Sequence, residues 1–130
     1  MKAILRQFRE TSKKVNLVAA LVRGKKAVDA IDTLKFTQKK AARPIKKLIE
    51  SAVANAENNF KQDKQDLYIK EIVVTEGTTY KRSIPVSRGR ANPRLKRTCH
   101  ITVKLAVKES SGDKKEVKTA KVKKSSIKSK

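Results

Sequence analysis

The side chains best able to do chemistry are concentrated between Lys81 and Thr98, in the run KRSIPVSRGRANPRLKRT. Lys81, Arg82, Arg88, Arg90, Arg94, Lys96 and Arg97 carry positive charge, and no carboxylate occurs between Glu76 and Glu109. At this density the chemistry is anion binding. The planar guanidinium fork grips phosphate bidentately and stacks on bases, and Arg predominates toward the centre of the run. Such groups resist leaving water unpaired. The segment therefore needs an external anion, and we read that anion as RNA phosphate.

Other candidate chemistry is thin. His100 is the only histidine, without a carboxylate near in sequence, on the wet phase of an alternating stretch. A catalytic or metal role needs partners that the sequence does not supply. Cys99, the only cysteine, falls in the inward phase and reads as a small buried hydrophobe; alone it excludes an internal disulfide and a Cys-rich zinc site. Gly24-Lys25-Lys26 lacks the upstream glycine of a phosphate loop. No acid–base pair, metal cluster or nucleotide loop points to an enzyme, and no cofactor is expected.

The elements that must position the basic run flank it. Leu67 to Thr75 reads as a strand, with Leu67 and Ile69 in one phase and Ile72 and Val74 in the other, so a bulge is expected at Lys70–Glu71. Cys99, Ile101, Val103, Leu105 and Val107 alternate with polar or small residues, the pattern of a half-buried antiparallel strand. Strand, basic tip and strand make a hairpin over about residues 78–98. A turn near Arg88–Gly89–Arg90 would set residue 82 against about 96 and residue 74 against about 104. Some ten residues per strand would then project on the order of 30 Å. Two strands alone in water are marginal, so the arm is expected to order only when embedded. Ile84 and Leu95 are its few large apolar side chains, and Pro85 and Pro93 blunt its edges.

Upstream, residues 2–9 read as a basic strand or extended arm. Thr11 or Ser12 and Gly24 bound a helix with Val15, Val18, Leu21 and Val22 on one stripe. Lys13 and Lys14 stand at its start; Arg23, Lys25 and Lys26 cluster at its end, where they suit the dipole and can reach phosphate. A short helix over Val28–Leu34 follows, with Val28, Ile31 and Leu34 expected on one face and Phe36 beneath the connection. The longest helix, from Thr37 or from near Arg43 to Phe60, carries Ala41, Ile45, Leu48, Ile49, Ala52, Val53, Ala56 and Phe60 at helical spacing. Pro44 implies either a kink or a start close to it. Lys39, Lys40, Arg43, Lys46 and Lys47 crowd its first half, where the dipole disfavours cations. That conflict points to an outside anion; the alternative is a solvated charged face. Asn55, Glu57, Asn58 and Asn59 read either as cap or as RNA contacts.

Bulk properties agree. One hundred and thirty residues fit one domain, here residues 1–107, with a Lys- and Ser-rich tail over 108–130 expected to be disordered in isolation. Lys and Arg outnumber Asp and Glu by 34 to 12, a net charge of +22 that favours polyanionic partners. No apolar run approaches the ~20 residues of a spanning helix, and the amino-terminal stretch lacks a signal-peptide core, so a cytoplasmic, non-membrane protein is expected. Aromatics are only 4%, which disfavours base reading on aromatic platforms and favours recognition of RNA shape and phosphates. A DNA-architectural protein with a basic β-arm, wedging a proline into a base step, is the alternative.

SKKVNLVAALVRGKKAVDAI, KKAARPIKKLIESAVANAENNF, IVVTEGTTYKR and SRGRANPRLKRTCHITV stand in this order over most of residues 11–107. On these stretches the chain resembles the bacterial-type large-subunit ribosomal protein L-twenty-two family. The resemblance implies an α+β fold: three helices packed on a small three-stranded antiparallel sheet, with a long protruding β-hairpin. It implies a structural constituent of the large subunit that binds rRNA during assembly, a monomer within the ribosome beside neighbouring large-subunit proteins. It further implies that the hairpin tip, here Ile84, Pro85, Val86, Ser87, Arg88, Gly89, Arg90, Ala91 and Asn92, helps to line the peptide exit tunnel and meets the nascent polypeptide. The chain departs from the family pattern at Val86, where a basic residue is common, at Pro93, and at Cys99, where a serine is common.

Overall fold

The computed structural model describes residues 1–107; the stretch 108–130 expected to form a tail lies outside the described residues. In chain order the elements are strand β1 (Lys2–Phe8), helices α1 (Ser12–Val22), α2 (Ala27–Phe36) and α3 (Ala42–Phe60), and strands β2 (Leu67–Glu76), β3 (Tyr80–Pro85), β4 (Ala91–Lys96) and β5 (Cys99–Val107). They form a three-stranded sheet of order β1-β5-β2 and a separate two-stranded ribbon, β3-β4. All pairings are antiparallel. This is the expected α+β architecture.

β5 is the central strand, and its alternation decides the core. Cys99, Ile101, Val103 and Leu105 are buried, together with Leu67, Ile69 and Ile72 of β2. The bulge expected in β2 is present: the register with β5 shifts between Ile69 and Glu71. It turns both hydrophobic phases of β2 onto the same face, which is why Ile69 and Ile72 are both sealed. β1 has a second irregularity, between Leu5 and Phe8, with Gln7 at φ 53°. That break accounts for the unclean alternation of Ile4, Leu5 and Phe8.

α3 supplies the helical wall and packs on β1 and β5, while α1 packs on β2. Of the buried residues of α3, Ile45, Leu48, Ile49, Ala52, Val53 and Ala56 match the expected stripe; Ala42 joins them, Ala41 is buried just before the helix, and Phe60 at its end is exposed. The helix begins at Ala42. Pro44 therefore falls in the first turn, where its missing N–H is not needed, and the start near Arg43 holds rather than the kink.

Three expectations about the smaller helices are corrected. In α1 the buried set is Val15, Val18, Ala19 and Val22, and Leu21 is half exposed. Leu21 lies roughly 100° around the helix from that stripe, at ~100° per residue. In α2 the buried set is Ala27, Ala30 and Leu34, with Val28 exposed. Phe36, expected beneath the connection, is 85% exposed. It lies about 180° around the helix from Ala27 and so points away from the core.

Candidate nucleic-acid interface

The basic arm is built by β3 and β4, whose twelve residues are all exposed. Its pairs run from Tyr80 opposite Lys96, through Lys81 opposite Leu95 and Arg82 opposite Arg94, to Pro85 opposite Ala91. The expected register of 82 against 96 is thus two residues off, and Val74 faces Ile101 rather than 104. The cause is the tip. Arg88 and Gly89 both adopt left-handed φ, 58° and 66°, and centre the turn on Arg88. The Val86 N–H closes the loop on the Arg90 carbonyl at 2.8 Å. The arm is also shorter than expected. Residues 77–79 form a neck and 86–90 the tip, leaving six-residue strands that span about 20 Å at ~3.3 Å per residue.

Period-two alternation gives the ribbon two unlike faces. Tyr80, Arg82, Ile84, Asn92, Arg94 and Lys96 share one; Lys81, Ser83, Pro85, Ala91, Pro93 and Leu95 share the other. Arg82 directly opposite Arg94 is a like-charge cross-strand pair, which destabilises the ribbon in the absence of an anion. Among the described residues, none of the arm's seven cations has a carboxylate within 4.0 Å; the ion pairs engage Lys35, Lys40, Lys46, Lys64 and Lys104 instead.

The neck fixes where the arm leaves the body. Thr98 is the one buried polar residue among those described, and its hydroxyl donates to the Thr78 carbonyl at 2.8 Å. Gly77 donates its N–H to the Thr98 carbonyl at 2.9 Å. A Cβ on Gly77 would stand 2.6 Å from Thr98 Oγ1 and 3.2 Å from the His100 ring, so the close approach requires glycine. His100 Nδ1 accepts the Gln7 N–H at 3.0 Å, and Ser12 Oγ donates to Glu76 Oε1 at 3.2 Å. His100, expected on a wet face, is partly buried and braces the β1 irregularity. Cys99 is buried, and desolvation pushes its thiol above the usual range, first among the causes, with the Glu10 charge adding to it. It stays a neutral thiol, the opposite of what a nucleophile requires.

The remaining cations fall into separate groups. Lys40 joins Arg82, Arg94, Lys96 and Arg97 around a cleft at the arm's root, with Arg9, Glu10 and Thr11 on the body side. Lys39 and Lys40 also border a shallow groove with Lys35, Arg43 and Lys46. Lys13 and Lys14 are exposed in the first turn of α1, and the Lys14 charge acts on Glu10 of the cleft's body wall. Arg23, Lys25 and Lys26 are not brought to the arm. They are tied to β2: Arg23 Nη2 donates to the Ile72 carbonyl at 3.0 Å, and the Ile69 N–H donates to the Lys25 carbonyl at 2.9 Å. Lys26 pairs with Tyr68. Gly24, at φ 79°, permits this reversal.

Sequence reasoning missed Arg9, Glu10, Gly77 and Thr98. Arg9-Glu10-Thr11 lies far from the arm in sequence, and only the β1–β5 pairing, Phe8 opposite Cys99, brings it to the neck. Gly77 gives a weak signal, a glycine where the apolar alternation stops. The described residues hold no cluster of metal-ligating side chains and no helix long and apolar enough to cross a membrane.

A sheet covered by helices, with a cationic arm whose charges have no carboxylate partner among the described residues, defines a body-and-arm protein that presents positive charge to its surroundings. Residues 3–106 match the family described as Ribosomal protein L22p/L17e. The chain is 51% identical over 105 residues to the large ribosomal subunit protein uL22 of Fusobacterium nucleatum subsp. nucleatum, covering 81% of this chain and 95% of that protein. The chain belongs to the ribosomal protein L22p/L17e family. It is a structural constituent of the large ribosomal subunit, in a family of structural proteins rather than enzymes, and its place is the cytoplasmic ribosome.

Proposed function

We propose that this protein binds and organises rRNA during assembly of the large subunit, through the arm and the basic surfaces at its root. In this reading the tip over residues 84–92 helps to line the nascent-peptide exit tunnel and meets the nascent polypeptide, and neighbouring large-subunit proteins abut the body. The single observation that supports it best is an arm whose seven cations lack carboxylate partners among the described residues. Family membership favours this reading over the DNA-architectural one.

Seven cations neutralising seven phosphates give a log–log salt slope of about −5 to −6. Replacing Arg88, Arg90, Arg94 and Arg97 together by Gln should flatten that slope by about 3 and leave thermal unfolding in place. An unchanged slope removes the arm from the RNA site. Crosslinking from a probe at Gly89 in intact large subunits should label both rRNA and a stalled nascent chain; labelling of neither removes the tip from the tunnel.

A further inference from the structure

The cleft at the arm's root has about 700 Å³ of space and two walls from distant parts of the chain. On one side stand Arg9, Glu10 and Thr11 after β1 and Lys40 before α3; on the other stand Arg82, Arg94, Lys96 and Arg97 of the arm and neck. Among the described residues, six cations thus surround a single carboxylate. Glu10 Oε1 holds Lys40 Nζ at 3.0 Å, and Glu10 is the more enclosed partner, its side chain 17% exposed against 73% for Lys40. The arrangement is costly when empty: Arg82 faces Arg94 directly, and one acid cannot satisfy six cations.

We propose that this cleft is a binding site for consecutive phosphates of an RNA backbone, and that Glu10 is its built-in competitor, holding Lys40 until a phosphate takes it. The inference rests on the RNA-binding reading above and adds to it a partner exchange within one cleft. A backbone fits better than a free anion because the cations line two opposed walls and must be satisfied together, which one phosphate cannot do. Glu10 repels phosphate and occupies Lys40, so it lowers the affinity of the cleft for stray polyanion. The long, exposed Lys40 side chain can leave Glu10 without moving the backbone. The neck hydrogen bonds keep the two walls in register, since β1 and β5 are paired at Phe8 and Cys99 beside them.

The test uses the full chain and a 12-nucleotide uridine RNA, with affinity measured over a range of salt concentrations. Glu10→Gln preserves the size of the side chain and removes its charge. It should raise affinity several-fold and steepen the log–log salt slope by up to about one, because the carboxylate no longer offsets one of the cations that neutralise phosphate. The control is Glu71→Gln, which frees Lys104 from an equivalent pair on the sheet, away from the cleft. It should change affinity less than twofold with the slope unaltered. RNA should also protect Lys40 from an amine-reactive reagent. Equal effects of the two substitutions, or a reactive Lys40 in saturating RNA, overturn the cleft site while RNA binding itself stands. Failure of the wild-type chain to bind RNA at low salt overturns both readings. Competition by inorganic phosphate at low millimolar concentration reassigns the cleft to a free anion and overturns the backbone assignment.

Discussion

β4 and β5 are consecutive strands separated only by Arg97 and Thr98. In β5 Cys99, Ile101, Val103 and Leu105 are sealed in the core, whereas every residue of β4 is exposed. Both strands pair antiparallel with a single-chain partner. The difference is what lies beneath them. β5 has a second sheet neighbour and a helix layer, so its backbone bonds and apolar side chains reinforce one another. Among the described residues β4 has one strand neighbour and no helix layer. Burial of apolar area, rather than pairing alone, makes a strand stable in water. The body is held by buried apolar area; the arm presents a charge pattern on an exposed ribbon.

Hydrogen exchange tests this contrast most severely, because the effect spans orders of magnitude. Amides of β5 from Ile101 to Leu105 should exchange only on global unfolding, whereas those of residues 80–97 should exchange through local opening in the free protein. On addition of RNA the arm amides should slow and those of β5 should change little. Strong protection of the arm before RNA is added would break the comparison. The next largest effect is truncation of the core. Ile101 is fully buried, and Ile101→Ala should cost about 2–5 kcal/mol in chemical denaturation. Leu95→Ala on the arm, where Leu95 is 46% exposed, should shift stability by no more than ~0.5 kcal/mol.

The neck sharpens the comparison because it belongs to both regions. Gly77→Ala forces a methyl group against Thr98 Oγ1 and should cost ~1–3 kcal/mol, the range for overpacking. Thr98→Val removes the hydroxyl bond to the Thr78 carbonyl and should cost about 1 kcal/mol. Both substitutions should speed amide exchange at residues 76–79 and 97–100 more than in the middle of β5. Uniform acceleration across the sheet would mean that the neck is simply part of the core.

How far the sequence carried the fold follows the same division. The body was legible because hydrophobic period reports burial. The α3 stripe, the β5 alternation and the β2 bulge all came from which residues are apolar and at what spacing. The misplaced residues, Phe36, Leu21 and Val28, are large apolar side chains on the solvent side, which periodicity assigns inward by type. The arm's charge and hairpin form were legible, but its register was not. That register depends on Arg88 taking a left-handed φ, a conformation usually left to glycine, beside a glycine that does the same. The root cleft was hidden for another reason. Its walls come from stretches far apart in sequence, residues 9–11 and 40 on one side and 82–97 on the other, and strand pairing joins them.

The smallest effect concerns the ion pairs, all of which belong to the body among the described residues. The hydrogen bond from Lys104, and then its charge, hold Glu71 below the ordinary carboxyl value of 4.5. The hydrogen bond from Lys40 acts first on Glu10 in the same direction, partly offset by desolvation. A carboxyl whose pKa is depressed in the folded state binds fewer protons there than in the unfolded chain. Its contribution is therefore present above the unfolded value and is lost as pH falls through the folded one. The melting temperatures of the wild type and Glu71→Gln should differ by a small constant amount above about pH 6 and converge as pH drops below 4.5. The arm contains no carboxylate, so its local exchange rates, corrected for the intrinsic pH dependence, should not follow this convergence. If they do, the arm's opening is linked to the body's ion pairs, and the two regions are not as independent as their burial implies.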